Sequence, residues 1–265
     1  MKKIILAALL LAATFSVKAW NTAYDKAVYL VAAQNYNPKT LRLVQYYVNE
    51  DVAKASNHLA WHRKNGRHLE SAGWHKLHLD ASLQPAAKDE NDAYVQVEKA
   101  LEIIRNRKDH DDAVVSFAVH TVMNLIVDMH NLSNVVIEGI PLSGTDFQVG
   151  TSKGTANGKT AKITLYSWKS LWTHRYVTYH GAYSPQMWAK DIVIMHGNKK
   201  EEFSKGTLKD WTLDIGTYTK DIYGVLEAGN GNFLHPTIQA HEEFHMSCLA
   251  RAAFRIAVLL NENLK

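Results

Sequence analysis

Two stretches hold the side chains best suited to chemistry. One is SAGWHKLHLD, residues 71–80, with His75 directly after a tryptophan; the other is NLIVDMHNLSN, residues 124–134, with Asp128 inside an apolar run. Imidazole and carboxylate are the groups that hold divalent metals and move protons. His120 stands one helical turn before Asn124 and two before Asp128, so on a helix the three share a face. His58, His62 and His78 lie close to His75 in the chain. These histidines can be read as a rebuilt single-metal site or as hydrogen-bonded core and surface residues.

Other motifs carry less. HEEFH at 241–245 fits H-E-x-x-H, the helix-borne zinc pair of metalloproteases. However, a charged Glu243 sits where such motifs are usually uncharged, and the best third ligand, Glu262, is almost at the chain end. An exposed turn at the start of the last helix is the plainer expectation. Trp61, Trp74, Trp168, Trp172, Trp188 and Trp211 offer ring faces for stacking bases or sugars, but most are expected in the core. Lys153, Lys159 and Lys162 stand in a glycine-rich loop where lysines meet phosphate or merely water. Cys248, the single cysteine, is expected to pack, and it excludes an intrachain disulfide.

The elements that must position these residues are mainly helical, because apolar residues recur at three- and four-residue intervals. Ala27, Leu30 and Val31, and then Leu41 to Val48, predict two helices broken near Asn37-Pro38. A third helix is predicted from about Asp92 to Arg105, with Val97, Leu101 and Ile104 on one face. Residues 112–130 are apolar almost all round, which marks a central helix buried on most sides. Residues 146–166 read as a hairpin or long loop around Asn157-Gly158. The last helix buries Leu249, Ala252, Ala253, Ile256, Leu259 and Leu260, with Arg251, Arg255 and Glu262 on a polar face.

Residues 1–19 have the layout of a cleavable export signal: lysines, a short apolar run and the exit Val17-Lys18-Ala19. The mature chain is then expected to begin at Trp20 and to work in the periplasm or outside the cell. The formal charge of +4 falls to +1 when Lys2, Lys3 and Lys18 leave with the signal, so the overall charge gives no case for nucleic acid. The run is short for a bilayer span, and no other membrane span is expected. Residues 20–265 suit one domain, with a monomer as the default.

SAGWHKLHLD, NLIVDMHNLSN, SWKSLWT at 167–173 and LARAAFRIAVLLNENL at 249–264 together resemble the zinc-dependent, single-strand-specific nucleases of the S1/P1 type. That family shares its helical fold with bacterial zinc-dependent phospholipase C. NLIVDMHNLSN is similar to its H-x-x-x-D-x-H-x-x-x-H helix, and SWKSLWT follows its N-L-H-x-x-W-D segment. The resemblance implies an all-α fold of the zinc nuclease and phospholipase C type, with three zinc ions that polarise a phosphodiester and deprotonate a water. It places zinc ligands at Trp20, through its free amine and carbonyl, and at His75 and Asp128.

The other ligand positions are changed. Asp25, Asn124, Asn134 and Lys169 stand where histidine is expected, and Thr173 where aspartate is. A further aspartate position falls on Ala60, or near Arg63 with a slip of a few residues. Amides are poor zinc ligands, and ammonium or guanidinium puts positive charge where a dication should sit. The expectation is a non-catalytic relative without cofactor that keeps a groove for a ligand, nucleotide-like or otherwise. The alternative is a residual metal-dependent phosphodiesterase that uses Trp20, His75, Asp128 and recruited histidines. Without zinc, Asp128 needs another counter-charge, and Lys169 is the expected one, as the α-ammonium of Trp20 is for Asp25.

Overall fold

A computed structural model describes residues 22–48, 58–86, 90–151, 164–175, 183–228 and 241–265. The export segment, Trp20 and the lysines of the glycine-rich loop lie outside the described residues. The described chain is mostly helical.

Helix α1, Thr22–Ala33, buries Tyr24, Ala27, Val28 and Val31, and α2 is Pro38–Val48. Proline is tolerated at a first helical position, where no intrahelical N–H bond is lost. Asn37 caps α2, its Oδ1 accepting from Thr40 N at 2.9 Å. A short helix, α3, covers His58–Lys64.

Strand β1, Leu77–Leu79, is followed by α4, Ala93–Arg105, which Asp92 caps by accepting from Tyr94 N and Val95 N. Val97, Leu101 and Ile104 are buried, as their spacing requires. The central α5, Asp112–Met129, packs along α4 and touches α1, α2, α3 and the last helix. By length and composition α5 resembles a membrane span; in the fold it is the core helix.

Strand β2, Val135–Ile137, follows α5 and pairs in parallel with β1, in the register Leu77↔Val135, His78↔Val136, Leu79↔Ile137. The expected hairpin is present as β3, Gln148–Thr151, antiparallel to β4, Thr164–Ser167. A helical turn, Trp168–Ser170, continues into a wide π turn, Leu171–Arg175. The remaining helices are α6, Pro185–His196; α7, Lys200–Ser204; α8, Leu208–Ala228; and α9, Glu242–Asn263.

The polar face expected on α9 needs correction. Arg251 and Arg255 are buried, and only Glu262 is exposed. Phe203 O accepts from Arg255 Nε at 3.0 Å, the Asp214 carboxylate pairs with Arg255 Nη2, and His130 Nε2 lies 2.9 Å from Arg255 Nη1. The Arg251 guanidinium lies 3.8 Å from the centre of the Phe203 ring. A long cation on an amphipathic helix is thus buried when acceptors and aromatic faces from other elements meet it.

Candidate functional site

The parallel β1·β2 pair brings the two halves of the site together. His75 stands two residues before β1, and Asp128 in the last turn of α5, just ahead of β2. Leu77, Leu79, Val135 and Ile137 are all buried, so the ladder is held by its apolar side chains as well as its backbone bonds. His75 Nδ1 then lies 2.6 Å from Asp128 Oδ2, with both residues more than nine-tenths buried. A carboxylate accepts from that nitrogen, so in the neutral ring Nε2 is an acceptor. His75 Nε2 and Asp128 Oδ1 are buried and have no hydrogen-bond partner among the described residues.

Two cations, Lys169 and Arg63, lie within electrostatic range of Asp128. Burial pushes the Lys169 ammonium below its usual range, while Asp128 and then Asp146 pull it back up. Burial likewise lowers Arg63, with Asp128 opposing. Arg63 Nη1 donates to Ser71 Oγ at 3.0 Å. Both residues are half-buried and therefore reach solvent. The Tyr29 hydroxyl is pushed well up, first by burial and then by Asp25 and Asp128. Asp25 is buried one helical turn before Tyr29.

Lys169 is close enough to feel Asp128 but is not its ion-pair partner; among the described residues His75 takes that place. Asn134 is buried, its Nδ2 donating to the Asp128 backbone carbonyl at 3.4 Å. Asn124 Nδ2 donates to His120 O at 2.9 Å, and Thr173 Oγ1 to Lys169 O at 2.6 Å. Ala60 lies on α3 and has no group able to ligate a metal. The chain therefore sets His75 against Asp128 and Asn134 on the Asp128 backbone carbonyl, with Lys169 and Arg63 within electrostatic range of Asp128, while the amide of Asn124 and the hydroxyl of Thr173 bond within their own helical turns.

Among the described residues this donor set falls short of the imidazoles and carboxylates that a zinc cluster needs. No three His, Cys, Asp or Glu side chains converge for a metal among the described residues. His75 spends one nitrogen on Asp128, and the Lys169 and Arg63 cations within electrostatic range of Asp128 would repel a dication there. None of the histidines considered for recruitment joins His75 and Asp128 in a group of three possible ligands among the described residues. His120 Nδ1 is 2.8 Å from Ser116 O, and His78 Nδ1 is 2.9 Å from Asp92 Oδ2. His62 sits edge-on to His68 and Phe117. The side chain of His58 lies outside the described residues.

HEEFH forms the start of α9, with Glu243 exposed and His241 and Glu242 half-buried, as expected of a turn there; His245 is the departure. His245 is buried in the first turn of α9, with Nε2 3.0 Å from Trp172 O, and burial pushes its pKa down to about 3. Cys248 is buried, and burial pushes its thiol up to about 12. Trp74, Trp168, Trp172, Trp188 and Trp211 are core residues as expected, whereas Trp61 is 50% exposed.

Sequence reasoning missed Tyr29, which reports on both acids. It also missed the short β1·β2 ladder; its only local signal is the alternation in Leu77-His78-Leu79. No protein-family model matches the sequence, and no curated protein matches it.

Proposed function

We propose that this chain is an exported, non-catalytic relative of the S1/P1-type nucleases, in which a network of side-chain charges replaces the zinc cluster and the former catalytic place binds a ligand. What supports the reading is the His75–Asp128 contact, with the Lys169 and Arg63 cations within electrostatic range of Asp128. A buried carboxylate without a counter-charge costs several kcal/mol, and here an imidazole contact and two cations offset it without any dication. The order of the four resembling segments and the helical architecture are consistent with the nuclease frame.

The test is metal analysis of protein refolded with zinc, together with hydrolysis of single-stranded DNA. The expected result is less than about one-tenth equivalent of zinc and no cleavage above a metal-free control, since zinc sites of this kind need imidazole or carboxylate on every ion. Near-stoichiometric zinc with cleavage overturns the reading in favour of a residual phosphodiesterase.

A further inference from the structure

The exposed Trp61 belongs to a surface that the end of α3 constructs. His62 O accepts from Arg67 N at 2.9 Å and Arg63 O from Gly66 N at 3.0 Å, with Gly66 at φ +71°. Such a paired closure, with glycine in the left-handed region, stops a helix and turns the chain. His68, itself at φ +49°, follows, and its carbonyl accepts from Ser71 Oγ at 2.7 Å. The turn returns the His68 ring to within 5.3 Å of His62 and lays it nearly parallel on Phe117 of α5, 3.6 Å between centres. Trp61 stands edge-on to His62 at 5.1 Å, so four rings form one cluster.

What this cluster turns to solvent is apolar and positive. Trp61 is 50% exposed, Leu69 61%, and Val114, one turn before Phe117 on the same face of α5, 42%. Exposed apolar residues scattered singly need no explanation, but three around one ring cluster do. Lys64, one turn after Trp61, and Arg67 are exposed and make no ion pair with any described residue. From His58 to Ser71 the single acid is Glu70, which lies 3.3 Å from His68 Nδ1. Asp112, at the start of α5, accepts from the Tyr46 hydroxyl.

An indole and branched alkyl groups beside long cations suit the boundary between water and hydrocarbon. The apolar parts enter, while ammonium and guanidinium reach back to phosphate. A single nucleic-acid strand needs a row of open ring faces. Here Phe117 covers one face of His68, and the other exposed apolar groups, Leu69 and Val114, are aliphatic.

We propose that the surface carrying Trp61, Lys64, Arg67, Leu69 and Val114 docks on an anionic phospholipid bilayer. Trp61 and Leu69 enter the headgroup layer, and Lys64 and Arg67 meet lipid phosphates. The docking spans nothing and is independent of what the His75–Asp128 place binds.

The experiment is sedimentation of the purified protein with vesicles of phosphatidylcholine alone and of phosphatidylcholine mixed with phosphatidylglycerol. Binding to the anionic vesicles is expected to exceed that to neutral ones by about tenfold or more, since each surface cation contributes roughly fivefold. Lys64→Glu with Arg67→Glu should remove that preference. Brominated lipid in the anionic vesicles should quench part of the tryptophan emission, and Trp61→Phe should abolish the quenched part while the protein still sediments. These side chains are exposed, so the variants are expected to fold, which circular dichroism checks.

Absence of binding to anionic vesicles, equal binding to neutral ones, or binding indifferent to the charge reversals overturns the proposal. Quenching that survives in Trp61→Phe overturns it as well, because another part of the molecule then meets the lipid. Retention of a single-stranded oligonucleotide in place of vesicles overturns it in favour of a nucleic-acid surface.

Discussion

Two buried groups govern the response to pH and to truncation at the scale of single residues. His245 has its pKa pushed from 6.5 to about 3 by burial, and burial followed by Arg255 carries His130 well below its ordinary value. Above pH 6.5 neither group makes stability depend on pH. Below it the unfolded chain takes up protons that the folded chain refuses, so stability falls with falling pH until the folded pKa is reached. Each histidine contributes a slope of up to about 1.4 kcal/mol per pH unit. Urea midpoints should therefore drop between pH 7 and pH 5, and His245→Gln should flatten the decline; an unchanged slope would refute the assignment. Arg255→Ala should cost about 3 to 5 kcal/mol by urea denaturation, because it empties a core volume and strips His130 and Phe203 O of their donor. That α9 buries its arginines was not legible in the sequence, because the acceptors come from residues 41 to 125 positions away. A helical wheel shows only polarity, not the partners that make burial tolerable.

At the scale of elements, what was legible is what is local. Pro38 behind Asn37, and Asp92 before an apolar period, announce their helices because a cap acts within one turn. Asp92 does more than cap. Its carboxylate also accepts from His78 N at 2.9 Å and lies 2.9 Å from His78 Nδ1, joining the start of α4 to β1. Asp92→Ala is expected to cost at least about 2 kcal/mol and to broaden the His75 ring resonances in an NMR spectrum. The β1·β2 ladder was not legible, since three-residue strands from distant segments leave almost no periodicity to read. Gly144 guards it. Its φ of +66° suits glycine, and an added Cβ would come within 2.2 Å of Val136 Cγ2 in β2. Gly144→Ala should lower stability by about 1 to 3 kcal/mol in thermal or urea unfolding. If it is neutral, the close approach is not sustained in solution.

The whole molecule depends on one continuous apolar core, as a chain with a single cysteine must. The core runs from Tyr24 in α1 through α5 to Leu264, and the helical class was readable because burial on one face recurs in every long helix. The candidate site was half readable. Its residues were found by type and spacing, but not their mutual arrangement: His75, not Lys169, stands against Asp128. Cys248 offers a direct probe of the core. Burial raises its thiol to about 12, so a neutral-pH thiol reagent should label it only as fast as the molecule unfolds globally. Labelling that outruns unfolding measured by circular dichroism would show that α9 opens on its own.

The parallel ladder also fixes when the site comes into being. His75 and Asp128 are 53 positions apart, and nothing holds them together until β2 has been made and docked beside β1. A polypeptide lengthened one residue at a time carries an imidazole without its carboxylate through the synthesis of all of α4 and α5. Truncated products ending before Ile137 should therefore lack the contact between His75 and Asp128.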